Sequence, residues 1–135
     1  MIAEIAECIM DKYRGDVDLR QTLTGGLHFQ QAEQENTSPY CTFYIIGIDR
    51  EEIMGDADDC ITEFTLQFNV FSAAIDGGYE IANMSDRVAK CFSWETFYPS
   101  GYRSLWMRPD GVVGPTYVDE IWQCALNYSL GIQKN

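Results

Sequence analysis

The sequence predicts an α+β fold: one mostly antiparallel sheet of four to five strands with two helices packed on one face. Three observations predict it. Residues 61–72 alternate strictly, with Phe64, Leu66, Phe68 and Val70 pointing one way and Glu63, Thr65, Gln67 and Asn69 the other. Two stretches repeat apolar residues at helical spacing. The strands follow one another as hairpins, with no series of strand–helix crossovers.

The first helix spans residues 2–13. Ile2, Ile5, Ala6, Ile9 and Tyr13 share one face, Glu4, Glu7 and Asp11 lie opposite, and Gly15 ends it. A turn or short helix through Leu19 and Leu23 follows, and Gly25-Gly26 break the chain. Residues 27–31 suit a short strand, and 32–38 a polar loop. Pro39 opens the next strand, Tyr40 to Ile48, rich in aromatic and β-branched residues. Its apolar residues fall on both faces, which predicts a central strand covered on both sides.

The segment from Asp49 to Asp59 reads as a loop. It holds six acids (Asp49, Glu51, Glu52, Asp56, Asp58 and Asp59) against the single cation Arg50. After the alternating strand, Asp76-Gly77-Gly78 form a turn. The second helix, Tyr79 to Trp94, carries Ile81, Met84, Val88 and Phe92 on one stripe. A strand from Tyr102 to Arg108 places Tyr102, Ser104, Trp106 and Arg108 on one face. Pro109-Asp110-Gly111 is a turn signature, with a loop through Thr116. The last strand, Tyr117 to Ile132, aligns Trp122, Cys124, Leu126, Tyr128, Leu130 and Ile132.

A chain of 135 residues, 46% hydrophobic and 22% charged, fits one domain across 1–135 that needs no metal or disulfide for stability. The net charge of -12 argues against tight nucleic-acid binding, which neutralises phosphates with cations. Five cysteines, odd in number and without a C-x-x-C pair, read as reduced thiols made in a cytosol. Glu4 and Glu7 interrupt any leader-like apolar run, and no run approaches the roughly 20 residues of a membrane-spanning helix.

No constellation for catalysis emerges, and an enzyme is not expected. A Ser–His–Asp or Cys–His arrangement would have to pass through His28, the single histidine, which has no nucleophile motif nearby. Numbered from Asp56, a calcium loop would need Gly at its sixth position and Glu at its twelfth. The chain has Ile61 and Gln67 there. Neither Gly-Gly pair belongs to a phosphate-binding loop. No metal or cofactor is implied. The aromatic residues suit core packing better than base stacking, since no cationic groove accompanies them.

Several features together resemble the tail-terminator, or tail-completion, proteins of long-tailed bacteriophages. They are the amphipathic opening helix followed by Gly25-Gly26, the Pro39-Tyr40 strand entry with Cys41 and Phe43, the strand Leu66 to Ser72 leading into the helix from Ile81, and the closing strand Trp122 to Leu130. The resemblance implies a hexameric ring at the head-proximal end of a virion tail, assembled in the host cytoplasm. Such a ring caps the tail tube, stops its polymerisation and joins the head connector, with DNA passing through without specific binding and no membrane involved. The six acids of 49–59 would then face the channel or a partner. A head-completion protein of the neck, or a small ligand- or peptide-binding module using the uncovered sheet face, are the other readings.

Overall fold

Helix α1 (Ile2–Arg14) forms on the expected stripe and buries Ile5, Ala6 and Ile9. On its polar face Arg14 pairs with Glu7 at 3.2 Å and Asp11 at 2.8 Å. A short helix, α2 (Val17–Thr22), is capped by Asp16, whose carboxylate accepts from the Leu19 amide at 3.0 Å. The computed structural model describes residues 2–31, 39–51 and 61–134.

Five strands follow: β1 (Leu27–Phe29), β2 (Tyr40–Glu51), β3 (Ile61–Ser72), and, after helix α3 (Tyr79–Phe92), β4 (Tyr102–Val118) and β5 (Ile121–Lys134). They form one sheet in the order β1-β2-β3-β5-β4. Every neighbouring pair is antiparallel except β1 and β2. The fold is α+β, with a five-stranded, mostly antiparallel sheet, as expected.

One face of the sheet meets the helices. Phe64, Leu66, Phe68 and Val70 of β3, and Cys124, Leu126, Tyr128, Leu130 and Ile132 of β5, are all buried there. From α3 come Ile81, Met84, Val88, Cys91 and Phe92. Phe68 stands at the centre: it stacks on Phe92 at 4.6 Å between ring centroids and meets Tyr128 edge-on at 5.6 Å. The Tyr128 hydroxyl reaches the Ser93 hydroxyl at 2.9 Å, so its one polar atom is satisfied inside the core.

Several expectations need correction. β2 is an inner strand, as expected, and among the described residues helices cover only one of its faces, although Thr42 on the other is itself buried. Its outer-face Tyr40 stacks on Phe71 of the neighbouring strand at 4.8 Å, a cross-strand aromatic pair that accounts for apolar residues on that side. A register shift between Ile45 and Gly47 makes Ile46 the extra residue of the strand, and Ile46 and Ile48 are both exposed. β2 also continues through Asp49, Arg50 and Glu51, paired to β3, where a loop was expected. The rest of the acidic segment, with Glu52, Asp56, Asp58 and Asp59, lies outside the described residues, as does the polar loop at 32–38.

α3 stops at Phe92, two residues early. Trp94 adopts φ 63° and donates its amide to the Met107 carbonyl at 2.7 Å, which turns the chain onto β4. Pro109-Asp110-Gly111 is not a turn. β4 runs on to Val118 and absorbs these residues in register shifts, between Ser104 and Trp106, Pro109 and Gly111, and Val113 and Thr116. An edge strand tolerates this, because its outward groups owe nothing to a ladder. The turn is instead Asp119-Glu120, with φ values of 52° and 65°, the backbone of a two-residue hairpin loop. The shift at Leu105 also moves Trp106 and Arg108 off the face of Ser104, so Met107 enters the core in their place.

Candidate functional site

With the helices on one side, no helix among the described residues covers the other side of the sheet, and the register lays it out in rows. Thr42, Asn69, Ala125 and Val113 form one row, and Tyr44, Gln67, Asn127 and Gly111 the next. Gly47, Thr65, Ser129 and Arg108 follow, then Glu63, Gly131 and Trp106, then Ile61, Gln133 and Arg103. Amides and hydroxyls dominate. The charged positions in these rows are Glu63, Arg103 and Arg108, with Asp49 and Glu51 at the β2 ends of the last two. A groove for nucleic acid needs many more cations than this.

A hydrogen-bonded chain crosses this face near one end. The Trp106 indole N–H donates to Ser129 Oγ at 3.0 Å, and Ser129 donates to Glu63 Oε1 at 2.7 Å. The indole lies over Gly131, where any side chain would overlap it. Arg108 places its guanidinium 4.6 Å from the centre of the same indole. Arg103 donates to Gln133 at 3.0 Å. The Trp106 ring, hydrogen-bonded to Ser129 and seated over Gly131, thus lies against Arg108, whose side chain is exposed at the sheet edge. The period-two reading missed this assembly, because the shift at Leu105 is silent in the hydrophobic pattern.

The far half of β4 is exposed on both faces, with Val112 at 61% and Val113 at 64%. Tyr117 packs on Trp122 at 4.9 Å, and Trp122 in turn covers Gly78. Two prolines and repeated register shifts blunt this edge against strand addition.

Of the sequence-predicted site residues, the structure places the backbone of Asp49 and Glu51 on β2, opposite Glu63 and Ile61. His28 is a structural residue: its Nε2 donates to the Gly25 carbonyl at 2.8 Å and its ring meets Tyr40 edge-on, pinning the Gly-Gly break. Cys41, Cys91 and Cys124 are buried and unbridged, and Cys8 is half-buried. Burial pushes the Cys91 thiol up to about 12, with nearby Asp16 adding to the effect. Among the described residues no group of His, Cys, Asp or Glu side chains is arranged to hold a metal ion. A cleft of ≈ 360 Å³ between α1 and α2 is lined by Asp11, Lys12, Asp16 and Asp18, with no nucleophile facing a base. No helix among the described residues is long and apolar enough to cross a membrane.

The sequence matches no known protein-family model and no curated protein. Solved structures do resemble it. A chain of the virion of a native gene transfer agent particle superposes with a TM-score of 0.73 at 10% identity, over 93% of this chain and 92% of that one. A second solved protein superposes with a TM-score of 0.67 at 13% identity, over 98% and 93%. At such identities the likeness establishes a shared fold.

Proposed function

We propose that this chain is a non-enzymatic structural subunit of a phage-like virion. Its place is the head-proximal end of the tail. There, as a ring of six copies, it caps the tail tube, ends its polymerisation and forms the joint to the head connector. The observation that carries this reading is the likeness, over nearly the whole of both chains, to a chain of a gene transfer agent virion. Its partners are then further copies of itself, the tail tube protein and the connector. DNA passes through the central channel without specific binding, in keeping with a net charge of -12 and an outer sheet face with few cations.

Deleting the gene from its phage or prophage tests the reading. Tails of uncontrolled length, unjoined to heads, are the expected result. Tails of normal length that fail to join would assign the chain to the neck instead, and normal particles would overturn both. The acidic segment is the proposed contact surface toward channel or partner. Changing Glu51, Glu52, Asp56, Asp58 and Asp59 to Asn or Gln is expected to leave thermal stability unchanged and to impair tail joining or DNA ejection. Infectious particles at normal yield would make the segment ordinary solvated surface.

A further inference from the structure

Two exposed apolar sites stand at opposite edges of the sheet and at the same level. At one edge the chain leaving α3 runs back along β4. Trp94 donates its amide to the Met107 carbonyl at 2.7 Å, and Ser104 donates to the Phe97 carbonyl at 2.8 Å. Glu95 of this segment pairs with Lys12 of α1 at 3.3 Å, which ties it to the body of the protein. At its two ends Trp94 and Tyr98 are 69% and 74% exposed. Trp94 holds its indole out on a backbone with φ 63°, a region that bulky residues rarely enter.

The row of Met107 leads to the second site. Met107 is in register with Leu130 of β5, Leu130 with Phe64 of β3, and Phe64 with Ile48 of β2. A row that begins at Trp94 on one edge therefore ends at Ile48 on the other. Ile48 shares the face of Phe64, its cross-strand partner, yet it is more than half exposed, as is Ile46 two residues before it. β1 pairs with β2 only at Cys41–Phe43, so among the described residues no strand flanks β2 at this level. Copies related by rotation about an axis along the strands keep their rows level. Such an arrangement is head-to-tail, and it closes a ring when the rotation divides a full turn. It sets the Trp94 edge of one copy beside the Ile48 edge of the next.

We propose that Trp94 and Tyr98 of one copy pack on Ile46 and Ile48 of the next, and that this apolar contact joins neighbouring copies. The inference rests on the ring reading above and adds the surface and the partner, a second copy of this chain. Tryptophan and tyrosine are the side chains that most often anchor interfaces, and both stand here on a segment fixed by hydrogen bonds and an ion pair, so little freedom is lost on contact. The segment already occupies the Ser104 amide and the Met107 carbonyl of β4, so the contact is made by side chains and not by strand addition. Copies of net charge -12 repel one another at long range, and the attraction that joins them has to be short-ranged, as apolar burial is.

Association of the purified full chain tests this, read by sedimentation velocity and native mass spectrometry at low and high salt. The wild type is expected to associate more strongly at high salt, where the repulsion is screened and the apolar contact persists. Trp94→Asn, which suits the positive φ, and I46T/I48T, which keeps β-branched residues in the strand, are each expected to weaken association roughly tenfold or more. Circular dichroism and melting confirm that each variant folds. A benzophenone amino acid at position 94 should cross-link on irradiation to the peptide holding Ile46 and Ile48 of another copy, identified by mixing isotopically labelled and unlabelled chains. If a substitution unfolds the protein, this cross-link decides alone. Folded variants that associate like the wild type, a cross-link to a different segment, association that falls with salt, or a wild type monomeric at every concentration and salt would each overturn the contact. None of these results bears on tail length in the deletion strain, so the functional reading stands or falls separately.

Discussion

The indole of Trp106 occupies the space above Gly131 that a side chain there would fill. The glycine is needed on the adjacent strand because the indole must lie flat to reach Ser129 and to support Arg108. Gly131→Ala is therefore expected to lift the ring and cost about 1–3 kcal/mol, the usual range for overpacking. Urea denaturation measures the loss, and near-ultraviolet circular dichroism reports the displaced tryptophan. A variant with unchanged stability and spectrum would show that the indole has room to move.

The hairpin turn gives a second prediction. Asp119 and Glu120 both hold positive φ, a region that favours glycine, and Asp-Gly is a preferred pair for this loop. Glu120→Gly removes the crowding between Cβ and backbone and is expected to stabilise the protein by about 0.5–1 kcal/mol. The urea midpoint should rise. A fall would mean that the Glu120 side chain makes a contact worth more than the strain it carries.

That turn also shows where the sequence could be read and where it could not. β3 and β5 were legible because each buries one face, and burying one face enforces period two. The helices were legible because their stripes repeat at helical spacing. Asp119-Glu120 carries no glycine, so the continuous run from Tyr117 to Ile132 looked like one strand. Pro109-Asp110-Gly111 has strong turn chemistry, yet an edge strand absorbed it as an irregularity. The clamp around Trp106 was illegible for a related reason. Trp106 and its partners Ser129, Gly131 and Glu63 come from three strands, β4, β5 and β3, and meet only through a register shift. The acids at 49–59 were visible as composition, but composition did not reveal that Asp49 and Glu51 continue β2.

Alkaline pH should weaken the fold. An unfolded thiol ionises near pH 8.5, whereas burial pushes the Cys91 thiol up to about 12 and also raises Cys41 above the ordinary range. The folded state thus keeps protons that the unfolded state releases. This contribution is fully present below about pH 8.5 and declines as pH rises toward the folded value, by at most about 1.4 kcal/mol per pH unit for each thiol. Urea titrations under reducing conditions between about pH 7 and 10 measure it. Cys91→Ala should lower stability at pH 7 through lost packing and flatten the alkaline slope. A slope identical to that of the wild type would assign the decline to other groups.

His28 offers the sharpest check on a purely structural role. Its Nε2 is engaged by the Gly25 carbonyl at 2.8 Å and its ring lies against Tyr40, so it is committed to holding the Gly25-Gly26 break at the start of β1. A catalytic imidazole needs a free nitrogen facing a substrate or a nucleophile, and none of the described contacts of His28 provides one. His28→Ala removes one hydrogen bond and one ring contact at a half-buried site, which is expected to cost about 1 kcal/mol. The denaturation midpoint should shift accordingly, while, under the proposed virion role, the yield of assembled particles at permissive temperature stays that of the wild type. A variant that is stably folded yet forms no particles would mean the imidazole touches a partner or a reacting group, and the structural assignment of His28 would then be wrong.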